Sequence, residues 1–235
     1  MHLNGDDLPA LVSRNRRSYD ECAAEYARST DKLERFPGLD LELDRFLAAL
    51  PAGAVLDLGC GAGRDAEYLI ERGADVLAGD ISAEMLRYTR RRCVLFGAVQ
   101  CDLLALPLVS GVFAGVWACA SVLHLPRRAH PVAFSEIHRV LAPGGAAAIS
   151  LKAGEGEGWV RDTRISSPRW FSLRSPDAVV DELSAAGFVS VRVLPSGRAT
   201  WFVVEAVKAQ ASHSSGSVPG RTWRMPPRGS GTSPS

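Results

Sequence analysis

The sequence predicts an α/β fold, a mostly parallel sheet covered by helices on both faces, and two observations carry that prediction. Apolar segments of strand length alternate with segments of helical period, the pattern that βαβ crossovers require. Between the first such strand and the next helix lies the glycine loop Gly59-Cys60-Gly61-Ala62-Gly63, a turn that lets a ligand approach the backbone and the helix N-terminus. With 235 residues, 46% hydrophobic and 23% charged, the chain suits one ample domain at roughly 100–200 residues per domain.

In chain order, residues 11–50 read as two helices that precede the sheet, broken near Phe36-Pro37-Gly38. Residues 54–58 (AVLDL) form a buried first strand, and the helix after the glycine loop runs to Gly73, a suitable left-handed cap. Strand two covers 75–79 and ends at Asp80, after which Ser82 can cap the next helix with Glu84 in its first turn. Strand three lies near 98–101 and ends at Asp102. Strand four, 112–118, leads through a turn at His124 into a helix that stops before Leu141-Ala142-Pro143-Gly144-Gly145. Strand five is 146–151, and a glycine-containing loop spans 152–170. A final helix begins at Ser175-Pro176 and stops at Gly187, with serine as cap and proline at the first helical position. Strands at 189–194 and 201–207 are separated only by 195–200, which suits a hairpin-like connection and one antiparallel strand. Seven strands result.

Composition excludes several classes. No apolar run approaches the roughly 18–20 residues of a membrane span, and the start, MHLNGDDLPA, is acidic and lacks a signal-peptide core. Five cysteines, an odd number without CxxC or Cys/His clustering, point to a reducing cytoplasm and no zinc site. From Ala209 onward, fifteen of the last twenty-seven residues are Ser, Gly or Pro. Such a stretch cannot bury enough apolar surface to offset its chain entropy, and 209–235 is predicted to be a disordered tail. The whole chain carries a net +1; without the tail's Arg221, Arg224 and Arg228 it holds 24 basic against 26 acidic residues, a net of −2. That balance argues against nucleic acid or an anionic membrane as partner. The division is therefore N-terminal helices at 1–50, a catalytic domain at 51–208 and the tail.

Three acids, Asp57, Asp80 and Asp102, fall at the carboxyl ends of strands one, two and three, the crevice where open α/β sheets bind ligands. Asp80 stands where a carboxylate accepts hydrogen bonds from ribose hydroxyls. Counted from Gly59, the third position of a dinucleotide G-x-G-x-x-G fingerprint is Arg64, and Gly63 falls one residue early. Asp57, just before the loop, would repel a pyrophosphate and can pair with an ammonium. The pattern favours a cationic ligand over NAD.

These segments resemble the class I S-adenosylmethionine-dependent methyltransferases. VLDLGCGAG at 55–63 is similar to that family's first motif, GDISAEML at 79–86 to its second, CDLLALPL at 101–108 to its third, and HRVLAPGG at 138–145 to its helix-to-strand-five turn. The resemblance implies a Rossmann-like seven-stranded sheet in the order 3-2-1-4-5-7-6, strand seven antiparallel, and S-adenosylmethionine as cofactor. It places Asp57 and the backbone of Gly59, Cys60, Gly61 and Gly63 around the methionine portion, and Asp80 on the ribose. Ile81 and Met85 would pack against adenine, Asp102 and the Leu103 amide would read its edge, and Ala118 completes the set. Tyr19-Asp20 resembles the tyrosine-acid pair that begins a cofactor-covering helix in many relatives.

On the acceptor side, His124 is the histidine nearest the expected reaction edge, able to take a proton or to shape the pocket wall. In the loop 152–170, Lys152, Arg161, Arg164 and Arg169 can hold an anionic substrate or form a salt-bridged surface with Glu155, Glu157 and Asp162. Trp159, Trp170 and Phe171 can stack on an aromatic acceptor or pack the loop; Arg161, Arg169 and Trp170 are the candidate substrate contacts. Ala118-Cys119-Ala120-Ser121 stands where N-P-P-[YF] would mark methylation of a planar amide or base nitrogen. The leading expectation is a cytoplasmic methyltransferase, monomer or homodimer, acting on O, N or C of a small metabolite without a metal. A tRNA-modifying enzyme using the basic runs 14–17 and 90–92, and a non-catalytic cofactor-binding protein, are the alternatives.

Overall fold

The computed structural model describes residues 7–211; the expected tail lies outside them from 212 on. Helices α1 (Leu8–Glu21), α2 (Ala23–Thr30) and α3 (Leu39–Ala48) precede β1 (Val55–Leu58). Next come α4 (Arg64–Glu71), β2 (Val76–Asp80), α5 (Ala83–Arg92), β3 (Gly97–Gln100) and β4 (Phe113–Cys119). The chain continues through α6 (His130–Val140), β5 (Leu141–Lys152), β6 (Glu157–Val160), β7 (Arg169–Ser172), α7 (Pro176–Ala185), β8 (Phe188–Pro195) and β9 (Trp201–Lys208). Among the described residues no helix is long and apolar enough to cross a membrane.

The main sheet runs β3-β2-β1-β4-β5-β9-β8. Its first five strands pair in parallel, while β9 is antiparallel to both neighbours. Renumbered within that sheet, this is the expected 3-2-1-4-5-7-6 order with one antiparallel strand. Successive strand residues point to opposite faces, and both faces are apolar here. Leu56, Leu58, Val116, Ala118, Ala147 and Ile149 pack with Phe134 and Ile137 of α6 and Val179 and Leu183 of α7. Their neighbours Val55, Trp117, Ala148 and Val203 pack with Leu39, Leu43 and Phe46 of α3 and Leu69 of α4. Leu39, Leu43 and Phe46 are at most 2% exposed, so each contributes about 1.5–3 kcal/mol by burial.

Three local readings need correction. The N-terminal region holds a break at Cys22 and a short turn at Leu33–Arg35 besides the expected one, so two expected helices become three. No Pro or Gly marks Cys22. The stretch read as a loop contains β6, which pairs with β7 as a separate antiparallel hairpin in the register Trp159↔Trp170. The two indoles meet edge to face at 5.7 Å, a cross-strand pair able to hold so short a ladder. Ser175 precedes α7 but makes no side-chain cap bond; Pro176 occupies the first turn as expected.

A close approach ties the far end of the sheet to the N-terminal helices. A Cβ on Gly197, between β8 and β9, would lie 2.3 Å from the Pro37 carbonyl oxygen. Only glycine fits, and the contact brings Arg198 beside α3.

Candidate active site

β1 delivers the glycine loop at its carboxyl end. Gly59, Gly61 and Gly63 have φ of +81°, +54° and +86°, the left-handed region that glycine enters without strain. A Cβ on Gly59 would stand 2.3 Å from that of Ser121, in the turn after β4. Asp80 closes the loop from β2: Oδ2 accepts from Gly61 N at 2.9 Å and Oδ1 from Ser82 N at 2.8 Å. Burial pushes its carboxyl up to about 6. Ser82 caps α5 by accepting from Met85 N at 3.1 Å, and its hydroxyl donates to Asp20 Oδ1 at 2.6 Å, which fastens α1 over the loop.

A cavity at this edge is lined by Tyr19, Gly59, Gly61, Asp80, Ile81, Asp102 and Leu103, all seven expected on the cofactor. Asp57, Cys60, Gly63, Met85 and Ala118 do not line it. Met85 and Ala118 are fully buried. Cys60 donates its amide to Gly79 O, and Gly63 packs on Thr89 at the start of α4. Asp57 lies on the α4 face at 2% exposure, where burial and the carboxylates of Asp65 and Asp80 push its pKa well up. Lining residues that the sequence reading missed include Val12, Asn15, Tyr26, Ala120, Ser121 and Leu125. Among the described residues no group of three or more His, Cys, Asp or Glu side chains converges on a metal position.

A second cavity, of about 390 Å³, adjoins the first, and Tyr19, Tyr26, Ala120 and His124 line both. Ala120 holds φ +56°, a conformation costly for a residue with a Cβ and concentrated at functional sites. At this junction Tyr19 Oη lies 2.7 Å from His124 Nε2, and His124 Nδ1 lies 2.7 Å from the Trp170 carbonyl oxygen. A carbonyl only accepts, so Nδ1 carries the hydrogen and Nε2 accepts from the tyrosine hydroxyl. Burial, with the Arg169 charge beside it, lowers the imidazole to about 3. Arg169 donates to Tyr19 Oη at 3.1 Å and pairs with Asp162. Asn15 braces the unit: its Nδ2 donates to His124 O at 2.7 Å, and its Oδ1 accepts from Trp170 N at 2.9 Å.

Of the expected substrate contacts, Arg169 lines the second cavity, and Arg161 and Trp170 do not. Arg161 is exposed and donates to Ser166 O within its own loop. Trp170 turns its indole to Trp159 and Ser172, reaching the site through its backbone. The sequence reading missed Arg64 and Arg198 on this wall. Arg64 lies 4.0 Å over the Phe36 ring and pairs with Asp65 at 2.7 Å; Arg198 lies 4.7 Å over Trp201 and pairs with Glu42 at 3.0 Å.

Residues 55–145 match the family described as "Methyltransferase domain". This span holds the glycine loop, Asp80, Asp102 and the junction residues Ala120 and His124. Residues 55–145 are thus similar to a methyltransferase domain, and the sheet around them has the fold of the class I S-adenosylmethionine-dependent methyltransferases. A malonyl-[acyl-carrier protein] O-methyltransferase of Enterobacter lignolyticus is 37% identical over 149 residues, 60% of this chain and 59% of that protein. One of Herminiimonas arsenicoxydans is 33% identical over 181 residues, 74% and 66% of the two chains. The chain thus spans about half to two thirds of the length of the curated relatives it matches. In fold it is similar to the 1,6-didemethyltoxoflavin-N1-methyltransferase of Burkholderia thailandensis, solved with 1,6-didemethyltoxoflavin and S-adenosylhomocysteine (TM-score 0.63, 22% identity, 89% of this chain and 93% of that one).

The cofactor of this methyltransferase family fits the residues present. Two buried polar atoms at the loop have no protein partner among the described residues, Ser121 Oγ on the cavity wall and Asp57 Oδ2 behind it, and such atoms call for a ligand or water. Asp80 retains lone pairs for hydroxyl donors, Asp102 faces the cavity beside the apolar Ile81 and Leu103, and glycines leave room at the backbone.

Proposed function

We propose that the chain transfers the methyl group of S-adenosylmethionine to an oxygen, nitrogen or carbon nucleophile of a small-molecule acceptor. The observation that carries this reading is the meeting of two cavities at Tyr19, Tyr26, Ala120 and His124. One has the polar and apolar wall that suits the cofactor; the other is of a size ordinary for a small ligand. When bound, the cofactor supplies a methyl group on a cationic sulfur, which an aligned nucleophile displaces.

The chain's own part is alignment and exclusion of water, which in favourable cases supplies about 7–11 kcal/mol. Asp80 holds the ribose, Asp102 and the Leu103 amide the adenine edge, Ile81 and Leu103 its faces, and Gly59 and Gly61 admit the methionine end. Asp57 stands behind the loop, its carboxyl held toward the neutral form by burial and by Asp65 and Asp80. Residues 8–48 act as the cover, fastened by the Asp20–Ser82 bond. His124 serves as a neutral strut: with Nε2 held by Tyr19 and Nδ1 by a carbonyl, it fixes the tyrosine at the junction. The O-methyltransferase relatives support a small acceptor. The tRNA alternative draws little from the basic run on α5, because Arg90 donates to Ala98 O, and Arg92 pairs with Glu67 and donates to Asp31 O.

The test is calorimetry with S-adenosylhomocysteine, followed by incubation with methyl-labelled cofactor and separate metabolite and tRNA fractions. Binding and label in a metabolite fraction are expected. Label confined to tRNA would replace the small-molecule reading, and failure to bind S-adenosylhomocysteine would remove methyl transfer altogether.

A further inference from the structure

The acceptor cavity gathers more positive charge than it neutralises. Six cationic side chains line it, among them Arg64, Lys152, Arg164, Arg169 and Arg198, against one carboxylate, Asp162. Arg35, Arg64, Arg169 and Arg198 each have a carboxylate partner, in Asp31, Asp65, Asp162 and Glu42. Lys152 and Arg164 form no ion pair among the described residues. Arg164 also lies 4.8 Å from the centroid of the Phe36 ring, over which Arg64 stands at 4.0 Å. Two guanidinium carbons that close to one ring centre are under 9 Å apart. Asp65 already answers Arg64, so the unanswered charge on this wall is that of Arg164 and Lys152, and a planar carboxylate is the group that guanidinium forks bind in pairs.

The opposite end of the cavity offers nothing arranged to take a proton. Tyr19 donates to His124, and the remaining His124 nitrogen donates to the Trp170 carbonyl. An alcohol or ammonium acceptor would need a base there; a carboxylate would not.

We propose that the acceptor is a small organic acid with at least two carboxylates, one held by Arg64, Lys152 and Arg164 and the other methylated on oxygen at the Tyr19 end. This rests on the methyl-transfer reading. The carboxylate oxygen's lone pair forms the new bond to the methyl carbon as the carbon–sulfur bond breaks and its electron pair stays on sulfur. No proton moves, and the product is a methyl ester. Arg64 and Arg164 thereby become specificity residues. The basic wall supplies attraction for the distal carboxylate, while the reacting one meets the Tyr19 and His124 end, where the nearest cation, Arg169, is already paired with Asp162 and so draws less on its lone pair.

The experiment uses the full chain, first titrated with S-adenosylhomocysteine and then, when loaded, with glutarate and isophthalate, their diamides, and inorganic phosphate at matched ionic strength. At least one dicarboxylate is expected to bind saturably, with its diamide and phosphate about tenfold weaker or more. The double variant Lys152→Gln, Arg164→Gln should lose about tenfold in dicarboxylate affinity while its S-adenosylhomocysteine affinity holds, and Lys152→Gln, Arg164→Lys should regain part of the loss. With methyl-labelled cofactor, the bound acid should acquire label that mild alkali releases as methanol.

Dicarboxylates that fail to bind, diamides or phosphate that bind equally, or a double variant with wild-type affinity would each overturn the anchor. Alkali-stable label, or a bound acid that takes no label, would overturn the reacting atom. A chain that does not bind S-adenosylhomocysteine fails the earlier reading instead, so the two failures are separable.

Discussion

The cavity proposed for the cofactor takes Asp80, Asp102 and the loop at Gly59 from the carboxyl ends of three adjacent strands, all inside one matched span, and is closed by Asn15, Tyr19, Tyr26 and Ser121. The cavity proposed for the acceptor is assembled from α1, α2, the start of α4, the ends of β4 and β5, the β6–β7 hairpin and the β8–β9 connection, so Tyr19, Arg64, Arg169 and Arg198 converge from across the chain. The difference has a physical basis. A parallel sheet fixes its strand ends relative to one another, so a ligand common to many proteins can be read from that edge. Acceptors vary, and the elements that meet them hang on connections whose length and charge can change without disturbing the sheet.

The largest expected effect tests the rigid side. Gly59→Ala forces φ +81° and a contact 2.3 Å from the Ser121 Cβ, which should cost about 2–5 kcal/mol. Chemical denaturation measures it, and an unchanged midpoint would mean the loop is not fixed by the β4 turn.

Acid should then separate the two halves by sign. His130, fully buried beneath the hairpin with Arg174 beside it, is lowered by burial from 6.5 to about 4. The unfolded chain takes up that proton first, so this stability is present above 6.5 and is lost as pH falls toward 4. Between pH 7 and pH 5 the loss is about 2 kcal/mol, read from denaturation curves and abolished in His130→Asn. Asp80 acts oppositely. Its carboxyl, raised by burial from 3.8 to about 6, takes up a proton in the folded chain first, so its contribution improves as pH falls from 6 toward 3.8. The same proton competes with ribose, and S-adenosylhomocysteine affinity should fall by nearly tenfold per pH unit below 6. Calorimetry showing no fall would shift the ribose contact away from Asp80.

The smallest effect falls on the junction. Tyr19→Phe keeps the ring and removes two hydrogen bonds, to His124 and from Arg169. It should lower kcat about fivefold, equivalent to about 1 kcal/mol, with little change in cofactor affinity. With His124 lowered to about 3, the rate profile between pH 5 and 8 should show no inflection from this imidazole. One near 6.5 that vanishes in His124→Gln would make it a base after all.

Legibility in the sequence followed the same division. The sheet order and the acids of strands two and three rest on short contiguous motifs, which carry their spacing with them. The hairpin escaped notice because β6 and β7 are four residues each, too short for an alternating pattern to stand out, and Trp159 and Trp170 explain one another only once paired. Nothing in the sequence singles out Asn15; its partner, the His124 carbonyl, lies 109 positions away. Arg198 depends on Glu42, 156 positions away. Arg64 did leave a trace, as the residue that spoils a dinucleotide fingerprint, but its place on the second cavity's wall was not legible from that.

Glu42 is 2% exposed and Arg198 answers its charge. Removing one member of a buried pair costs about 3–5 kcal/mol, a large share of the 5–15 kcal/mol that holds a typical domain together. Lys152 and Arg164 carry no such obligation. The wall of the proposed acceptor cavity is thus divided into unpaired positions that evolution can revise and paired ones, of which Arg198 changes only in tandem with α3. Descendants of this chain that acquire new acceptors should differ at 152 and 164 long before they differ at 198, and a designer seeking a new specificity has the same order of choices.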